Sequence, residues 1–307
     1  MSVSVCLCCD ETFAAYAAAS IYSIVKSAEP ETEYNFFIGF SDLSDTAKQI
    51  LTRAAGTHTI EFVKIDKTEF DNYNCTVQWI TQAAAYRLIV PLLIRKDIER
   101  LIYIDCDTLV YEDLTDMYNY DMKGKTLGVV LDVCWSQHTR KANTAKYFNS
   151  GVLLFDCKRW RDNEYFVKVR EALNHKNNSL PDQDALNRVM HKDSIYLPLR
   201  YNLQLRADDK HYYTNIDRLE YNDSKEHPVI AHFIGRVKPW HVDYHTHKFR
   251  QDLLKLVREL ELDKSKFNIQ RDYQITAQPI KKVKLPDVIE IDRRGYAYDY
   301  ETKKRID

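Results

Sequence analysis

The sequence predicts an α/β fold whose sheet is mostly parallel and carries helices on both faces. Apolar strand patterns alternate with helical patterns along the first hundred residues, and this alternation is typical of parallel sheets. Several strand patterns are apolar throughout, as expected for a sheet that is covered on both sides. Besides the strand pattern that ends at Asp156, three of them run directly into an aspartate, at Asp10, Asp105 and Asp132. Because ligands bind beyond the carboxyl ends of parallel strands, these aspartates mark a candidate site.

Local signals define the elements of the N-terminal part. Ser44 and Asp45 are suited to cap the start of a helix, and Gly56 is suited to end it. Another helix should stop near Pro91, because proline cannot continue a helix. The expected elements are strands at residues 3–9, 33–40 and 59–65 and helices at residues 13–26, 44–55 and 82–90.

The C-terminal part continues with strands and then becomes more helical. Residues 196–221 are rich in tyrosine and predict a loop, and residues 264–307 predict a weakly ordered or appended segment. We therefore expect a catalytic domain over residues 1–262 and a helical or extended C-terminal appendage over residues 263–307. The expected elements are strands at residues 101–104, 126–131, 151–155 and 229–233 and helices at residues 160–174, 182–190 and 249–262.

Composition excludes several classes of protein. The 307 residues include 44 Lys and Arg against 45 Asp and Glu, whereas a nucleic-acid-binding protein usually has a basic excess. We therefore predict no nucleic-acid partner. Only seven residues are glycine, and none are spaced as a dinucleotide-binding fingerprint or a P-loop. A nucleotide phosphate would need another partner, and a metal ion is the obvious one.

The seven cysteines predict a reducing environment. Their odd number and irregular spacing argue against a disulfide framework. Cys6 and Cys9 form a C-x-x-C, but it lies inside a predicted strand rather than at a helix start, so we interpret it as structural. The N-terminus has no signal-peptide pattern, and no apolar run reaches the length of a membrane span. These features predict a cytoplasmic protein.

An acidic pair after a buried strand is the sharpest local feature. Asp105 and Asp107 flank one residue, and a buried acid pair without compensation is costly, so a cation partner is expected. A turn with solvated acids is the alternative. His232, at the end of a later strand, is a candidate third ligand, and this donor set suits Mn²⁺ better than Mg²⁺. Lys238 could then neutralise a phosphate.

A second group of histidines offers a competing metal site. The spacing of His241, His245 and His247 could mimic a zinc site. No cysteine lies near these residues and no general base is evident, so we interpret them as loop surface.

Four motifs combine along residues 3–240. They are Tyr103-Ile104-Asp105-Cys106-Asp107, residues 148–154 (FNSGVLL), residues 181–187 (PDQDALN) and residues 232–240 (HFIGRVKPW). Together with Asp10 after the first strand and Arg87 before the acid pair, they resemble the family 8 glycosyltransferases. That family includes bacterial lipopolysaccharide galactosyl- and glucosyltransferases, glycogenin and galactinol synthase. The resemblance does not extend to the C-terminal segment.

The resemblance implies a GT-A fold and a retaining transfer of glucose or galactose from a UDP-sugar to a saccharide, glycolipid or glycoprotein acceptor. It also implies Mn²⁺ as cofactor, with Mg²⁺ as a substitute. Among the implied residues, Gln183, Asp132 and Asp182 are the expected catalytic residues. The implied roles are metal ligands at Asp105, Asp107 and His232, uridine contacts at Cys8, Cys9, Asp10 and Thr12, diphosphate or other donor contacts at Arg87, Cys106, Gly235 and Lys238, and donor-sugar contacts at Asp132, Asn149, Asp182 and Gln183.

The residue types agree with front-face substitution. A divalent ion would stabilise the diphosphate that leaves, and Lys238 and Arg87 would add positive charge. A retaining glycosidase would place a carboxylate nucleophile at the sugar, whereas Gln183 is an amide and a poor nucleophile. We therefore expect the acceptor and the leaving group to share one face of the sugar.

Each donor residue also has a purely structural interpretation. Asn149 could cap a turn, and Asp182 could cap the helix that follows Pro181. Asp184 would suit the positive end of that helix. Arg87 could form a solvated ion pair.

Two other functions stay open at this point. A sugar-1-phosphate nucleotidyltransferase shares the architecture but needs a Gly-rich phosphate loop near the first strand, where residues 3–12 contain no glycine. A catalytically silent carbohydrate-binding module would need a broken metal set. Residues 264–286 carry a net charge of +5, which would permit peripheral contact with the inner face of a membrane, although we favour a charged, solvent-exposed extension as the explanation.

Overall fold

The computed structural model describes most of the chain in two compact units, Met1–Ile269 and Gln270–Asp307. In the second unit, Ile289–Ile291 pairs with Ala297–Asp299 as an antiparallel hairpin. The membrane contact expected of residues 264–286 falls outside the described residues. Those residues are 2–71, 73, 75, 80–133, 144, 146–176, 178–206, 218–241, 244, 247–262, 289–291 and 297–299.

The first unit is built on two sheets. The larger has seven strands in the order β3-β2-β1-β4-β7-β6-β8, and the smaller has three in the order β5-β10-β9. Every pair in the larger sheet is parallel except those of β7, which runs antiparallel to β4 and β6. The prediction of a mostly parallel sheet is therefore confirmed. The strands are β1 (Ser2–Cys8), β2 (Glu33–Phe40), β3 (Thr59–Lys64), β4 (Arg100–Ile104), β5 (Thr108–Val110), β6 (Leu127–Leu131), β7 (Phe148–Asp156), β8 (Ser194–Tyr196), β9 (Leu203–Leu205) and β10 (Ile230–Phe233).

The reversed direction of β7 matters for the site. Because β7 is antiparallel, its first residues lie at the edge where β4 and β6 end, and Asn149 pairs in register with Val130 of β6. Asp156, at the far end of β7, lies at the opposite edge, beside Arg100. There its side chain accepts a hydrogen bond from the Arg159 backbone N–H and caps the next helix.

Helices cover both faces of the large sheet. Buried side chains form two clusters, and β1 contributes Val3, Val5 and Leu7 to one and Cys6 and Cys8 to the other. This alternation confirms that both faces are packed. The helices are α1 (Ala14–Lys26), α2 (Asp45–Ala55), α3 (Val90–Leu93), α4 (Thr115–Tyr118), α5 (Cys157–Asp162), α6 (Tyr165–Leu173), α7 (Pro181–Met190), α8 (Arg218–Glu226) and α9 (His247–Glu259), with 3₁₀ turns at Lys67–Phe70, Gln82–Leu88 and Leu199–Asn202.

Three expectations about local structure were wrong. Pro91 does not end a helix. The 3₁₀ turn stops at Leu88, and Pro91 lies in the first turn of α3. A backbone N–H at that position would have no acceptor within the helix, so proline costs no hydrogen bond there. The helix expected over residues 160–174 is interrupted before α6 by Glu164, whose φ is 54°. The loop expected over residues 196–221 contains β9, which is too short to show a periodicity.

The packing also bears on the cysteines and on membranes. Cys6 and Cys9 belong to different buried clusters, on opposite faces of the sheet, and both are free thiols. This agrees with a structural role. No helix in the described part of the chain combines the length and apolarity of a membrane span.

The predicted cap of α2 provides a stability test. The Ser44 hydroxyl accepts a hydrogen bond from the Ala47 backbone N–H at 3.1 Å. Ser44→Ala should therefore lower the free energy of unfolding by about 1 kcal/mol, as measured by urea denaturation. Thr52→Ala is the matched control, because within the described part of the chain its exposed hydroxyl bonds only the Lys48 carbonyl of the same helix. Equal stabilities of the two variants would contradict a capping role.

Candidate functional site

The carboxyl edge of the large sheet opens into a cleft of about 330 Å³. Most residues singled out from the sequence line it, although they come from segments far apart in the chain. Hydrophobic side chains such as Phe13, Ile80 and Ile234 complete its wall. The expected site residues that line the cleft are Cys8, Cys9, Arg87, Asp105, Cys106, Asp107, Asp132, Asn149, Asp182, Gln183, His232, Gly235 and Lys238.

Asp10 and Thr12 are placed differently from the other expected donor residues. Neither is among the described residues that line the cleft. The Asp10 side chain accepts a hydrogen bond from the Phe13 backbone N–H at 3.1 Å, just before α1 begins. Thr12 is exposed. Their expected contact with uridine stays a prediction.

Three potential metal ligands meet in the cleft. Asp105, Asp107 and His232 each offer one ligand atom within 4.8 Å of the others. His232 Nε2 lies 3.2 Å from Asp107 Oδ1 and 3.8 Å from Asp105 Oδ2. Two carboxylate oxygens and one imidazole nitrogen fit a divalent ion such as Mn²⁺. Of the competing histidines, His241 accepts a hydrogen bond from the Lys238 backbone N–H, and His245 lies outside the described residues.

Backbone pairing brings these ligands together. The Asp105 N–H donates to the Gly151 carbonyl at 2.8 Å, which anchors the end of β4 on β7. The Phe233 N–H donates to the Asp107 carbonyl at 2.9 Å, which extends the antiparallel pairing of β10 with β5. The Thr108 hydroxyl donates to the Asp105 carbonyl at 2.9 Å and closes the turn between the two aspartates.

Each carboxylate has its own cationic partner. Tyr103 OH donates to Asp105 Oδ1 at 2.5 Å, and Arg87 Nη2 lies 3.1 Å from the same oxygen. Lys238 Nζ lies 2.5 Å from Asp107 Oδ2. Burial raises the pKa of Asp105, with the Asp107 charge adding to the effect and Arg87 opposing it. Burial acts in the same direction on Asp107, but Lys238 and His232 outweigh it and hold that pKa well below its usual value.

Arg87 connects Asp105 with Asp182 and with the start of β7. Its Nη1 donates to the Ser150 carbonyl at 2.5 Å, and its Nε lies 3.4 Å from Asp182 Oδ2. Its guanidinium also lies over the Tyr103 ring, 4.6 Å from the centroid. Only 4% of its side chain is exposed, so the solvated ion pair considered from the sequence is wrong.

Beside the metal ligands lies a network of amides and carboxylates. Gln183 Oε1 accepts from the Ser150 N–H at 2.9 Å, and Gln183 Nε2 donates to Asp132 Oδ2 at 3.2 Å. Asn149 Nδ2 approaches the same Asp132 oxygen at 3.4 Å. Asn149 Oδ1 accepts from the Gly151 N–H at 2.9 Å, so Asn149 both bonds the backbone within β7 and lines the cleft.

Helix α7 carries Gln183 and is held at two points. Asn187 donates to the Phe148 carbonyl and accepts from the Phe148 N–H, both at 2.8 Å, and so continues the edge of β7 like a strand partner. Asp184 accepts from the Ser179 and Leu180 N–H groups and from Tyr147 OH. Asp184 therefore satisfies the donors before the helix, whereas no side-chain cap comes from Asp182.

Several of these contacts were not foreseen from the sequence. The roles of Asn187, Asp184 and Tyr103 depend on partners that only the fold supplies. Asp184 and Asn187 lie in the motif at residues 181–187. The available signal was that these polar residues flank an apolar pair, Ala185 and Leu186. Asn202, discussed below, lies in a segment that was predicted to be a loop.

Known proteins are similar to this chain in sequence and in fold. The galactosyltransferase LgtC, solved in complex with donor and acceptor sugar analogues, is 25% identical, with a TM-score of 0.73, 86% of this chain covered and 97% of LgtC. General stress protein A of Bacillus subtilis (strain 168) is 31% identical over 245 residues, covering 76% of this chain and 85% of that protein. Lipopolysaccharide 1,2-glucosyltransferase of Escherichia coli (strain K12) is 28% identical over 195 residues, covering 59% of this chain and 56% of that protein.

The mixed α/β fold is that of a GT-A glycosyltransferase. The family model described as glycosyl transferase family 8 matches residues 4–243. The chain therefore belongs to glycosyl transferase family 8, as the four motifs predicted, and it is a glycosyltransferase.

The space beside Gly151 provides a test of the metal site. A Cβ at this position would lie 2.2 Å from His232 Cε1 and 2.7 Å from Asp105 Oδ2. Gly151→Ala should therefore displace both ligands and weaken Mn²⁺ binding by on the order of tenfold or more, since misplaced ligands coordinate poorly. Electron paramagnetic resonance of free Mn²⁺ measures this affinity.

Val152→Ala is the matched control on the same strand. It removes buried volume and should cost about 2 kcal/mol of stability without touching the ligands, so Mn²⁺ affinity should not change. A Gly151→Ala protein that binds Mn²⁺ as tightly as the parent would show that the three ligands do not share an ion.

Proposed function

We propose that this enzyme transfers glucose or galactose from a UDP-sugar to a saccharide, glycolipid or glycoprotein acceptor, with retention at the anomeric carbon and with Mn²⁺ as the metal. The observation that carries the proposal is the meeting of Asp105, Asp107 and His232 in the cleft. Lys238 and Arg87 line the same cleft. A cation site flanked by basic residues is what a departing diphosphate needs.

A metal ion held by the three ligands would neutralise charge on the diphosphate. Lys238 is only 9% exposed, and its ammonium group lies against Asp107, so it is held beside the three possible ligands, where it could neutralise a phosphate. Mn²⁺ fits better than Mg²⁺ because one ligand is an imidazole nitrogen. Mg²⁺, which favours oxygen ligands, is the expected poorer substitute.

Gln183 is the residue we place on the reacting face of the sugar. Its amide cannot rotate freely, since Ser150 donates to its oxygen and Asp132 accepts from its nitrogen. A fixed amide dipole can stabilise developing positive charge but does not readily form a covalent intermediate. Asp182, a carboxylate next to Gln183 on the same helix, is engaged by Arg87 and by Tyr73. These contacts support front-face substitution, in which the departing phosphate accepts the acceptor proton.

The alternatives from the sequence are less well supported. The family match favours glycosyl transfer over nucleotidyl transfer. The assembled triad disfavours a catalytically silent module. A lipopolysaccharide 1,2-glucosyltransferase among the relatives favours a glycan or glycolipid acceptor. The proposed peripheral membrane contact rests on the +5 charge of residues 264–286, and the proposed cytoplasmic location rests on the odd number and irregular spacing of the cysteines.

Removal of Asp107 tests the metal-assisted reaction. Asp107→Ala deletes one ligand and the partner of Lys238, so UDP release from UDP-glucose or UDP-galactose should fall by on the order of 10³-fold, the equivalent of about 4 kcal/mol. Asp121→Ala is the control, because this exposed aspartate contacts only the Lys123 N–H among the described residues. The expected result is a parent-like rate for Asp121→Ala and similar melting temperatures for both. Full activity of a folded Asp107→Ala protein would refute the site.

The anomeric outcome tests the role of Gln183. Proton NMR of the product should show an α linkage from an α-configured donor, because both partners use one face of the sugar. Gln183→Ala should lower kcat by about 10- to 1000-fold, since one positioned dipole contributes up to a few kcal/mol, and should leave the anomer unchanged. A β product, or a glycosyl group trapped on Asp182 or Asp184, would contradict front-face substitution.

A further inference from the structure

Asn202 is a buried residue that contacts both a proposed metal ligand, His232, and a proposed donor-sugar residue, Asn149. It precedes β9 and is 0% exposed. Its Oδ1 lies 2.9 Å from His232 Nδ1, and its Nδ2 lies 3.0 Å from Asn149 Oδ1. It does not line the cleft, and it belongs to none of the four motifs that indicated the family.

A chain of hydrogen bonds sets the orientation of this amide. The Gly151 backbone N–H can only donate, so the Asn149 atom that faces it at 2.9 Å is the amide oxygen. That oxygen can only accept, so the Asn202 atom that faces it is the amide nitrogen. The Asn202 oxygen must then face His232. The assignment thus rests on a backbone donor, whose identity is not a choice between two amide orientations.

The same series of hydrogen bonds determines which nitrogen of the His232 imidazole carries the hydrogen. Because Asn202 presents an oxygen, His232 Nδ1 must carry a hydrogen to make this contact. In the neutral ring the lone pair then lies on Nε2, which is the atom that faces Asp105 and Asp107. A metal-bound imidazole is commonly held in this way by a hydrogen bond from its other nitrogen.

We propose that Asn202 is a positioning residue that holds His232 in the Nδ1–H form, with Nε2 directed at the metal, and that its orientation is dictated by the Gly151 N–H through Asn149. The inference rests on the proposed metal site. It also joins that site to the donor-sugar residues, because Asn149 approaches Asp132.

Two substitutions separate the two bonds of Asn202. Asn202→Ala removes both, so the Kd for Mn²⁺ in the absence of donor should rise by about 10- to 100-fold, as for other groups that orient a ligand. Asn202→Asp keeps an oxygen toward His232 but replaces the donor to Asn149 with a second acceptor and adds a negative charge. Because a carboxylate also orients a metal-bound imidazole, the Mn²⁺ Kd should stay within about threefold of the parent value or fall. For Asn202→Asp the KM of the UDP-sugar should rise instead.

Gln204→Ala is the matched control. Gln204 is also 0% exposed and pairs in backbone register with His232. Its side chain bonds the Val133 N–H and the Leu131 carbonyl rather than the imidazole. This variant should keep the parent's Mn²⁺ affinity even if its melting temperature falls.

A spectroscopic measurement reads the imidazole directly. With diamagnetic Cd²⁺ bound to the full-length protein, ¹⁵N-imidazole NMR should show the metal on His232 Nε2 and the proton on Nδ1. Metal on Nδ1 would overturn the proposal, as would unchanged Mn²⁺ affinity in Asn202→Ala or equal losses in Asn202→Ala and Asn202→Asp. Failure of the parent protein to bind Mn²⁺ would instead refute the metal site itself, and this inference with it.

Discussion

The rest of the site depends on two carboxylates, Asp105 and Asp107, that are separated by a single residue inside the protein. Like charges that are partly removed from water repel strongly, so each needs a compensating partner. Arg87 and Tyr103 serve Asp105, and Lys238 and His232 serve Asp107. These partners come from widely separated segments, so compensation of the acid pair also determines how those segments approach the end of β4.

The two aspartates are not equivalent. Asp107 lies between two positively charged or chargeable groups, and its pKa is held well below the usual value in spite of burial. Among the described residues, the formal cation that pairs with Asp105 is Arg87, which also pairs with Asp182. Burial raises the pKa of Asp105. An additional cation between them would relieve the remaining repulsion. This arrangement of charges is consistent with the proposed metal site.

Strand direction decides which polar groups surround this pair. Because β7 runs against its neighbours, its N-terminal residues, Asn149 to Gly151, lie beside the ends of β4 and β6. The absence of a side chain at Gly151 leaves room for His232 and Asp105. Buried amides then need partners, and those of Gln183, Asn149 and Asn202 satisfy one another and nearby backbone groups. Such a network is fixed before substrate arrives, which is the condition under which dipoles stabilise a transition state most effectively.

The sequence by itself determined the class of fold, most of the longer elements, the Ser44 cap of α2 and the acid pair at the end of a buried strand, because these depend on periodicity and on contacts within a few residues. It did not reveal β5, β8 or β9, which have three residues each, or the contacts that orient His232 and Gln183. Lys238 and Asp107 are 131 residues apart in the chain, and Asn202 and Asn149 are 53 apart. Only the tertiary structure brings such pairs together, since strand order and direction, and not local propensity, decide which side chains share the buried edge of the sheet.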